Sequence, residues 1–236
     1  MKVRITLSAN AGVAIHIGEY RIWVDALHTI KQPGFSAVDP TLRGKMLHCE
    51  AFEKPDIILC THCHPDHFSK TLIKEAKKLW PNAKVILPER HYDEQILIYG
   101  NEFAYFVDGL SLQFIRLPHE GQQYSNCVHY GVLITANGKK LLIPGDCATA
   151  AVELQKSIEG HRINLALLNF PWLTLKRGQN FVDEIMDPSG IVLFHLPFER
   201  DDTCGYREAA KKAVQKRGKE DTQLLCDPLQ TIELDI

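Results

Sequence analysis

The sequence predicts an α/β fold in which two sheets pack together with helices outside. Three observations carry this expectation. The chain opens on short alternating strands over 3–7, 12–17 and 20–24, joined by turns at Asn10-Ala11-Gly12 and Gly18-Glu19. Strands and helices alternate afterwards, and the order of strands first and mixed elements second occurs twice. No linker or low-complexity stretch interrupts the 236 residues, so one domain spanning 1–236 is expected.

The elements follow from local chemistry. Residues 26–54 show no periodicity and are punctuated by Pro33-Gly34, Pro40 and Gly44, so they read as a long loop that could act as a lid. Residues 55–60 form a buried strand. Leu72, Ile73, Ala76, Leu79 and Trp80 then recur at helical spacing with lysines between them, with Ser69 as N-cap and Pro81-Asn82 as the stop. A strand over 84–87 precedes a helical stretch near 89–98. Strands are expected over 112–117, 128–135 and 140–143, the last two joined by the hairpin turn Asn137-Gly138. A helix over 149–157, a strand over 163–169, a helix over 180–186, a strand over 191–194, a helix over 206–215 and strands over 223–226 and 231–234 complete the chain.

Composition narrows the function. The formal net charge of −2 gives no general attraction to nucleic acid or anionic membrane, and no basic tract supplies a phosphate track. Seven cysteines, an odd number in a chain too large to need stapling, point to reduced thiols and a cytoplasmic setting. The apolar runs are too short to span a bilayer, and the opening residues lack a secretory pattern. A small-molecule substrate is the expected partner, and a homo-oligomer is compatible with the sequence.

The chemistry concentrates in Thr61-His62-Cys63-His64-Pro65-Asp66-His67, directly after the apolar run Ile57-Ile58-Leu59-Cys60. Imidazole and carboxylate together suit zinc, iron or manganese, and turns at strand ends are where scaffolds present reactive groups. In an extended segment His62 and His64 point the same way, so they can grip one ion. Pro65 then bends the chain and turns Asp66 and His67 toward a second position. His119, Asp146 in Pro144-Gly145-Asp146, and His195 each follow a separate strand and are further candidates.

With these residues the chain resembles the metallo-β-lactamase superfamily. His62-Cys63-His64-Pro65-Asp66-His67 matches its His-x-His-x-Asp-His signature, while His119, Gly145-Asp146 and His195 match its later ligands. Asp25, after Trp23-Val24, looks like the family's buried aspartate that supports the metal loop. Most similar is the subgroup of ascorbate-phosphate lactonase and its relatives. The resemblance implies a four-layer αββα sandwich and a binuclear metal-dependent hydrolase. His62, His64 and His119 would bind one ion, Asp66, His67 and His195 a second, and Asp146 would bridge them. It also implies that a metal-bridging hydroxide attacks a small, anionic ester, lactone or phosphodiester, with Asp66 helping to orient the water or accepting its proton. Two divalent ions are expected, zinc by default, with manganese or iron as alternatives. Pro118 and Glu120 flank His119 where the family often has Pro-Gly before the histidine.

Other readings stay open for individual residues. His129 is a rival to His119 in the same region, Asp146 could cap a helix starting near Cys147, and His195 could be a core histidine. Cys63 and Cys147 are expected to point away from the ions, and His16, His28 and His48 to be structural or exposed. Trp172 is expected to wall a substrate pocket and Arg177 to hold an anionic group, against the alternative of an ordinary loop. Phe35, Arg43 and Lys45 are weaker candidates of the same kind. Three rival functions remain: an iron-dependent redox enzyme on the same scaffold, a nuclease or phosphodiesterase acting on nucleic acid, and a non-catalytic metal-binding or scaffold subunit.

Overall fold

Each half of the repeated pattern builds its own seven-stranded mixed sheet. The computed structural model describes residues 1–236. They form two units, one comprising Met1–Ile98, His195–Cys204 and Leu225–Asp235, the other comprising Tyr99–Phe194 and Gly205–Leu224 with Ile236.

In the first unit, β1 (Lys2–Leu7), β2 (Val13–Ile17) and β3 (Tyr20–Val24) form an antiparallel meander, and the late strand β14 (Thr231–Asp235) pairs with β1. From β3 onward the sheet is parallel, through β4 (Ile57–Leu59), β5 (Lys84–Leu87) and β6 (Ile96–Leu97). Helices lie in the crossovers from β3 to β4 and from β4 to β5, while an irregular segment joins β5 to β6. The run Ile57, Ile58 and Leu59 is fully buried, as a strand covered on both faces requires.

The helix α2 (Lys70–Leu79) connects β4 to β5. Ser69 accepts a hydrogen bond from the Leu72 amide, and Leu72, Ile73 and Ala76 form the buried stripe while Leu79 stays exposed. Burying Leu72 and Ile73 stabilises the helix by about 1.5–3 kcal/mol each. Gly12 closes the first turn: any β-carbon there would lie 2.2 Å from Ser8 Oγ and 2.7 Å from the Asp25 carbonyl oxygen.

The second unit repeats the plan. Here β7 (Glu102–Val107), β8 (Leu110–Arg116), β9 (Tyr130–Ala136) and β10 (Lys139–Ile143) run antiparallel, and β11 (Leu165–Asn169), β12 (Ile191–Phe194) and β13 (Thr222–Leu224) continue in parallel. Asn137 and Gly138 both take positive φ, the left-handed pair a two-residue hairpin needs. Helices α3 (Val152–Ile158), α4 (Pro171–Thr174), α5 (Lys176–Phe181) and α6 (Tyr206–Arg217) lie between the parallel strands in sequence. No helix in the chain is long and apolar enough to cross a membrane.

Four sequence expectations are corrected. Residues 26–54 are not all loop, because α1 (Pro40–Met46) forms there and buries Leu42 and Met46. Its start is chemically explicit: Asp39 caps the Leu42 amide at 2.7 Å and Pro40 fills the first turn. No helix forms over 89–98. The Gln95 side chain instead accepts from the amides of His91 (2.6 Å) and Tyr92 (2.8 Å) and donates to the Glu89 carbonyl (2.7 Å), satisfying the backbone groups a helix would have paired. Strand β7 was not anticipated, since its alternating side chains are half-buried at best. The helix expected over 180–186 starts earlier, as α5, and continues as a π turn over Val182–Met186 that ends at left-handed Asp187.

Candidate metal centre

The first unit assembles five of the seven expected ligands around one buried carboxylate. Strands β3 and β4 are parallel neighbours, so the residues after them emerge side by side. Asp25 follows β3 with φ +50, and its amide donates to the Leu59 carbonyl at 3.0 Å. Its carboxylate, 2% exposed, receives three bonds. The Thr61 amide donates to Oδ1 (2.8 Å), while the Thr61 hydroxyl (2.7 Å) and His67 Nδ1 (3.0 Å) both reach Oδ2.

These bonds fix histidine tautomers. His67 must carry its proton on Nδ1 to meet Asp25, which leaves Nε2 with a lone pair. The Thr61 proton is committed to Asp25, so the Thr61 oxygen accepts from His62 Nδ1 at 3.0 Å. His62 Nε2 is therefore a lone-pair donor as well. Both rings are fully buried, and their centroids lie 4.0 Å apart. The His64 ring stands edge-on to His62 at 4.6 Å, consistent with the shared direction expected from strand alternation.

His195 reaches the same cluster. Its backbone is left-handed (φ +59), and its amide donates to the Asn10 carbonyl at 3.2 Å. Asn10, also left-handed and fully buried, bonds both backbone groups of Ser36 through its side chain. The Asn10 to Ser36 link thus ties residues 26–39 to the His195 segment, and the Phe35 ring meets the His195 ring edge-on at 5.2 Å. His195 Nε2 lies 3.3 Å from His67 Nε2, and the donor atoms of Asp66, His67 and His195 all fall within 4.8 Å of one another.

The second unit presents the other two expected ligands. Strands β8 and β10 both pair antiparallel with β9 and so run the same way. His119 and Asp146 therefore emerge at the same end. An isolated bridge between His119 and Cys147 draws the two loops together, and Glu120 N donates to the Asp146 carbonyl at 2.8 Å. His119 Nδ1 bonds the Glu120 carbonyl at 2.7 Å, which turns its Nε2 into the acceptor nitrogen, 3.7 Å from Asp146 Oδ2. Asn169, the last residue of β11, donates from Nδ2 to Asp146 Oδ1 at 2.8 Å.

The donor set fits divalent ions. It is made of imidazoles, three of which (His62, His67 and His119) have a hydrogen-bond partner at Nδ1, together with carboxylates, the combination in which an outer partner orients a ligand. The 3.3 Å between His67 Nε2 and His195 Nε2 needs either one shared proton or a shared cation. Two nitrogens bound tetrahedrally to zinc at their usual bond lengths are separated by about 3.3 Å, so the contact has the size of one edge of such a site.

The remaining candidates separate clearly. His129 is buried, with Nδ1 on the Leu117 carbonyl at 3.2 Å and its ring edge-on to His119 at 5.5 Å. His16 bonds the Ala51 carbonyl, His48 is exposed, and His28 is buried with Nε2 donating to the Ala9 carbonyl at 3.1 Å. Burial above all drives the His28 pKa down to about 4, so the ring is neutral. Cys147 is a buried thiol whose pKa is pushed up by burial, and its Sγ lies on the Ala148 carbonyl. No helix begins at Cys147; α3 starts at Val152.

Trp172 is a correction. Only 1% exposed, its ring packs on Phe181 at 5.4 Å, and α5 approaches it so closely at Gly178 that a β-carbon there would meet the Trp172 backbone at 2.6 Å. Its side chain is packed as a core residue. Arg177 donates to Glu120 Oε1 at 2.6 Å. Burial opposes Glu120 ionisation, but the Thr149 amide and Arg177 outweigh it and hold the carboxyl below its usual range. Arg43 pairs with Glu75, and Lys45 lies exposed on α1.

Sequence reasoning missed Thr61, Asn10 and Asn169. Each carried a signal: a polar residue at a strand end beside a candidate ligand, or in a left-handed turn position that favours asparagine.

No family model matches the sequence, and no curated protein is similar to it. Solved structures are similar over the whole chain. Igni18, a metallo hydrolase from Ignicoccus hospitalis KIN4/I, is 18% identical with a TM-score of 0.69, and the match covers 100% of both chains. CmlA, a diiron beta-hydroxylase from Streptomyces venezuelae, is 12% identical with a TM-score of 0.67, over 99% of this chain and 54% of that one. The metallo-beta-lactamase fold protein YhfI from Bacillus subtilis is 12% identical with a TM-score of 0.67, over 98% of this chain and 99% of that one. At such identities the likeness is one of architecture: two mixed sheets flanked by helices, the metallo-β-lactamase fold.

Proposed function

We propose that the chain is a binuclear metal-dependent hydrolase acting on a small, anionic ester, lactone or phosphodiester, nearest in kind to the ascorbate-phosphate lactonase subgroup. In this reading residues 1–236 work as one domain. His62, His64 and His119 hold one divalent ion, Asp66, His67 and His195 hold another, and Asp146 is shared. The observation that carries it is the Asp25 network, which fixes both His62 and His67 as Nε2 donors. A structural histidine cluster has no need of such a device.

When bound, such ions acidify water into a nucleophile at neutral pH and polarise the oxygen of the scissile group. The chain's own residues do the rest. Asp66 accepts the proton that the attacking water gives up. Asn169 holds the Asp146 carboxylate in one orientation, and the Glu120 carbonyl does the same for the His119 ring. Arg177, half-exposed and paired with Glu120, supplies positive charge for an anionic substrate. Zinc is the expected ion because mixed imidazole and carboxylate ligation suits it, with manganese or iron able to use the same donors. The seven cysteines form no disulfide, which agrees with a cytoplasmic setting.

The test is His64→Ala and Asp146→Ala, each assayed on a panel of phosphodiesters, lactones and esters. Turnover should fall by about 100-fold or more, since ligand loss removes several kcal/mol of charge stabilisation. Unchanged turnover and metal content in both variants would refute the reading.

One observation favours an iron-dependent redox enzyme as the second reading: the solved structures similar to this chain include a diiron hydroxylase. Anaerobic metal analysis separates the two. Stoichiometric iron with substrate-dependent oxygen consumption selects the redox enzyme.

A further inference from the structure

A second cluster of ligand-type side chains lies in the first unit, built on the same loop as His62 and His64 and on the segment after β5. Strands β4 and β5 are parallel neighbours, so Cys63, four residues beyond β4, and Glu89 and His91, just beyond β5, leave the sheet at the same edge. The Cys63 Sγ, a Glu89 carboxylate oxygen and a His91 ring nitrogen all lie within 4.8 Å of one another.

The loop bearing two of these residues is preformed. Gln95 binds the backbone of Glu89, His91 and Tyr92 with its one amide group, and Phe68 lies against the His91 ring with centroids 4.4 Å apart. His91 Nε2 is out of solvent and meets no hydrogen-bond partner, so nothing within the protein competes for it. Burial and then the Lys70 charge favour the neutral ring more than Glu89 opposes it. None of the three residues belongs to the ligand set proposed above.

We propose that Cys63, Glu89 and His91 form a separate binding site for one thiophilic divalent ion such as zinc. Thiolate, imidazole and carboxylate are a donor combination that zinc accepts, and the thiolate and carboxylate together neutralise its charge. Zinc bonds of the usual length separate such donors by roughly 3.3–3.7 Å, so side-chain adjustments of about 1 Å close the site. Three protein ligands leave a fourth position open to solvent. Because Cys63 stands between His62 and His64, an ion there would tie the middle of that loop to the segment after β5. The proposal does not depend on the hydrolytic reading.

Cobalt(II) titration of chelator-stripped full-length protein tests it. The hydrolytic ligand set contains no sulfur, so a thiolate-to-cobalt charge-transfer absorption comes from a cysteine ligand, and its loss in Cys63→Ser assigns it to this site among the seven free cysteines. Wild-type protein should show that absorption with one cobalt equivalent attached to it. It should vanish in Cys63→Ser, weaken at least about 10-fold in apparent affinity in His91→Ala, and persist in Cys147→Ser. Absence of the band in wild-type protein, or its survival in Cys63→Ser, overturns the proposal. Should Cys63→Ser fail to fold, His91→Ala decides, because an unchanged cobalt affinity there also overturns it.

Discussion

His67 and His195 face each other through their Nε2 atoms at 3.3 Å, although 128 positions separate them in sequence. One is held by the Asp25 carboxylate and the other by a left-handed backbone pinned to Asn10. Two donors prepared independently and aimed at one point are the arrangement a shared cation requires.

The Asp25 network should therefore govern metal affinity. Asp25→Asn keeps the shape but removes the charge that holds the Nδ1 proton of His67. Zinc affinity is expected to drop by about 10–100-fold, as for other residues that orient a ligand without touching the metal. Competition with a chromophoric chelator measures it. An affinity equal to that of the parent would mean the network serves folding alone.

Acid should destabilise the chain through His28. Its ordinary pKa near 6.5 falls to about 4 in the folded state, chiefly through burial. Below pH 6.5 the unfolded chain takes up a proton that the native chain refuses, so the contribution is complete above pH 6.5 and is lost as pH falls toward 4. From pH 7 to pH 5 this costs about 2 kcal/mol. Urea unfolding at both pH values should show that His28→Gln, which retains a donor for the Ala9 carbonyl, has a shallower acid dependence. Parallel curves for the two proteins would remove His28 from the account.

Gly12 should tolerate no side chain. An added β-carbon would overlap Ser8 Oγ and the carbonyl of Asp25, whose backbone is held by its amide hydrogen bond to Leu59. Gly12→Ala is expected to cost about 1–3 kcal/mol. That corresponds to a fall in melting temperature of roughly 2–12 °C. The displaced Asp25 should also weaken zinc binding. A variant with the parent's melting temperature and affinity would contradict the close packing described here.

Much of this was legible in the residues. The alternation of Val3 to Val24 and the apolar run Ile57 to Leu59 predicted their strands because period two and continuous burial leave different marks. Helix α2 announced itself through Ser69 and the Leu72, Ile73, Ala76 stripe. Helix α1 escaped because seven residues are too few to show a period, even though Asp39-Pro40 is a clear start signal. The stretch 89–98 read as helix because sequence does not show that the Gln95 side chain satisfies the backbone from within.

The ligand candidates were legible as a motif, but their preparation was not. Nothing in Thr61 or Asn10 alone says that one relays a proton choice to His62 and the other anchors His195. Those roles arise from parallel neighbours and left-handed turns, which bring together residues far apart in the chain. Trp172 misled because a tryptophan after a strand fits a pocket wall as well as a core. Only burial against Phe181 distinguishes the two.

Anomalous diffraction from zinc-loaded crystals of Cys63→Ser protein tests the central claim most directly, since that substitution removes the peripheral site. The account predicts two anomalous peaks: one contacted by His62, His64 and His119, one by Asp66, His67 and His195, with Asp146 touching both. A single peak, or peaks that His119 and Asp146 leave untouched, would contradict it.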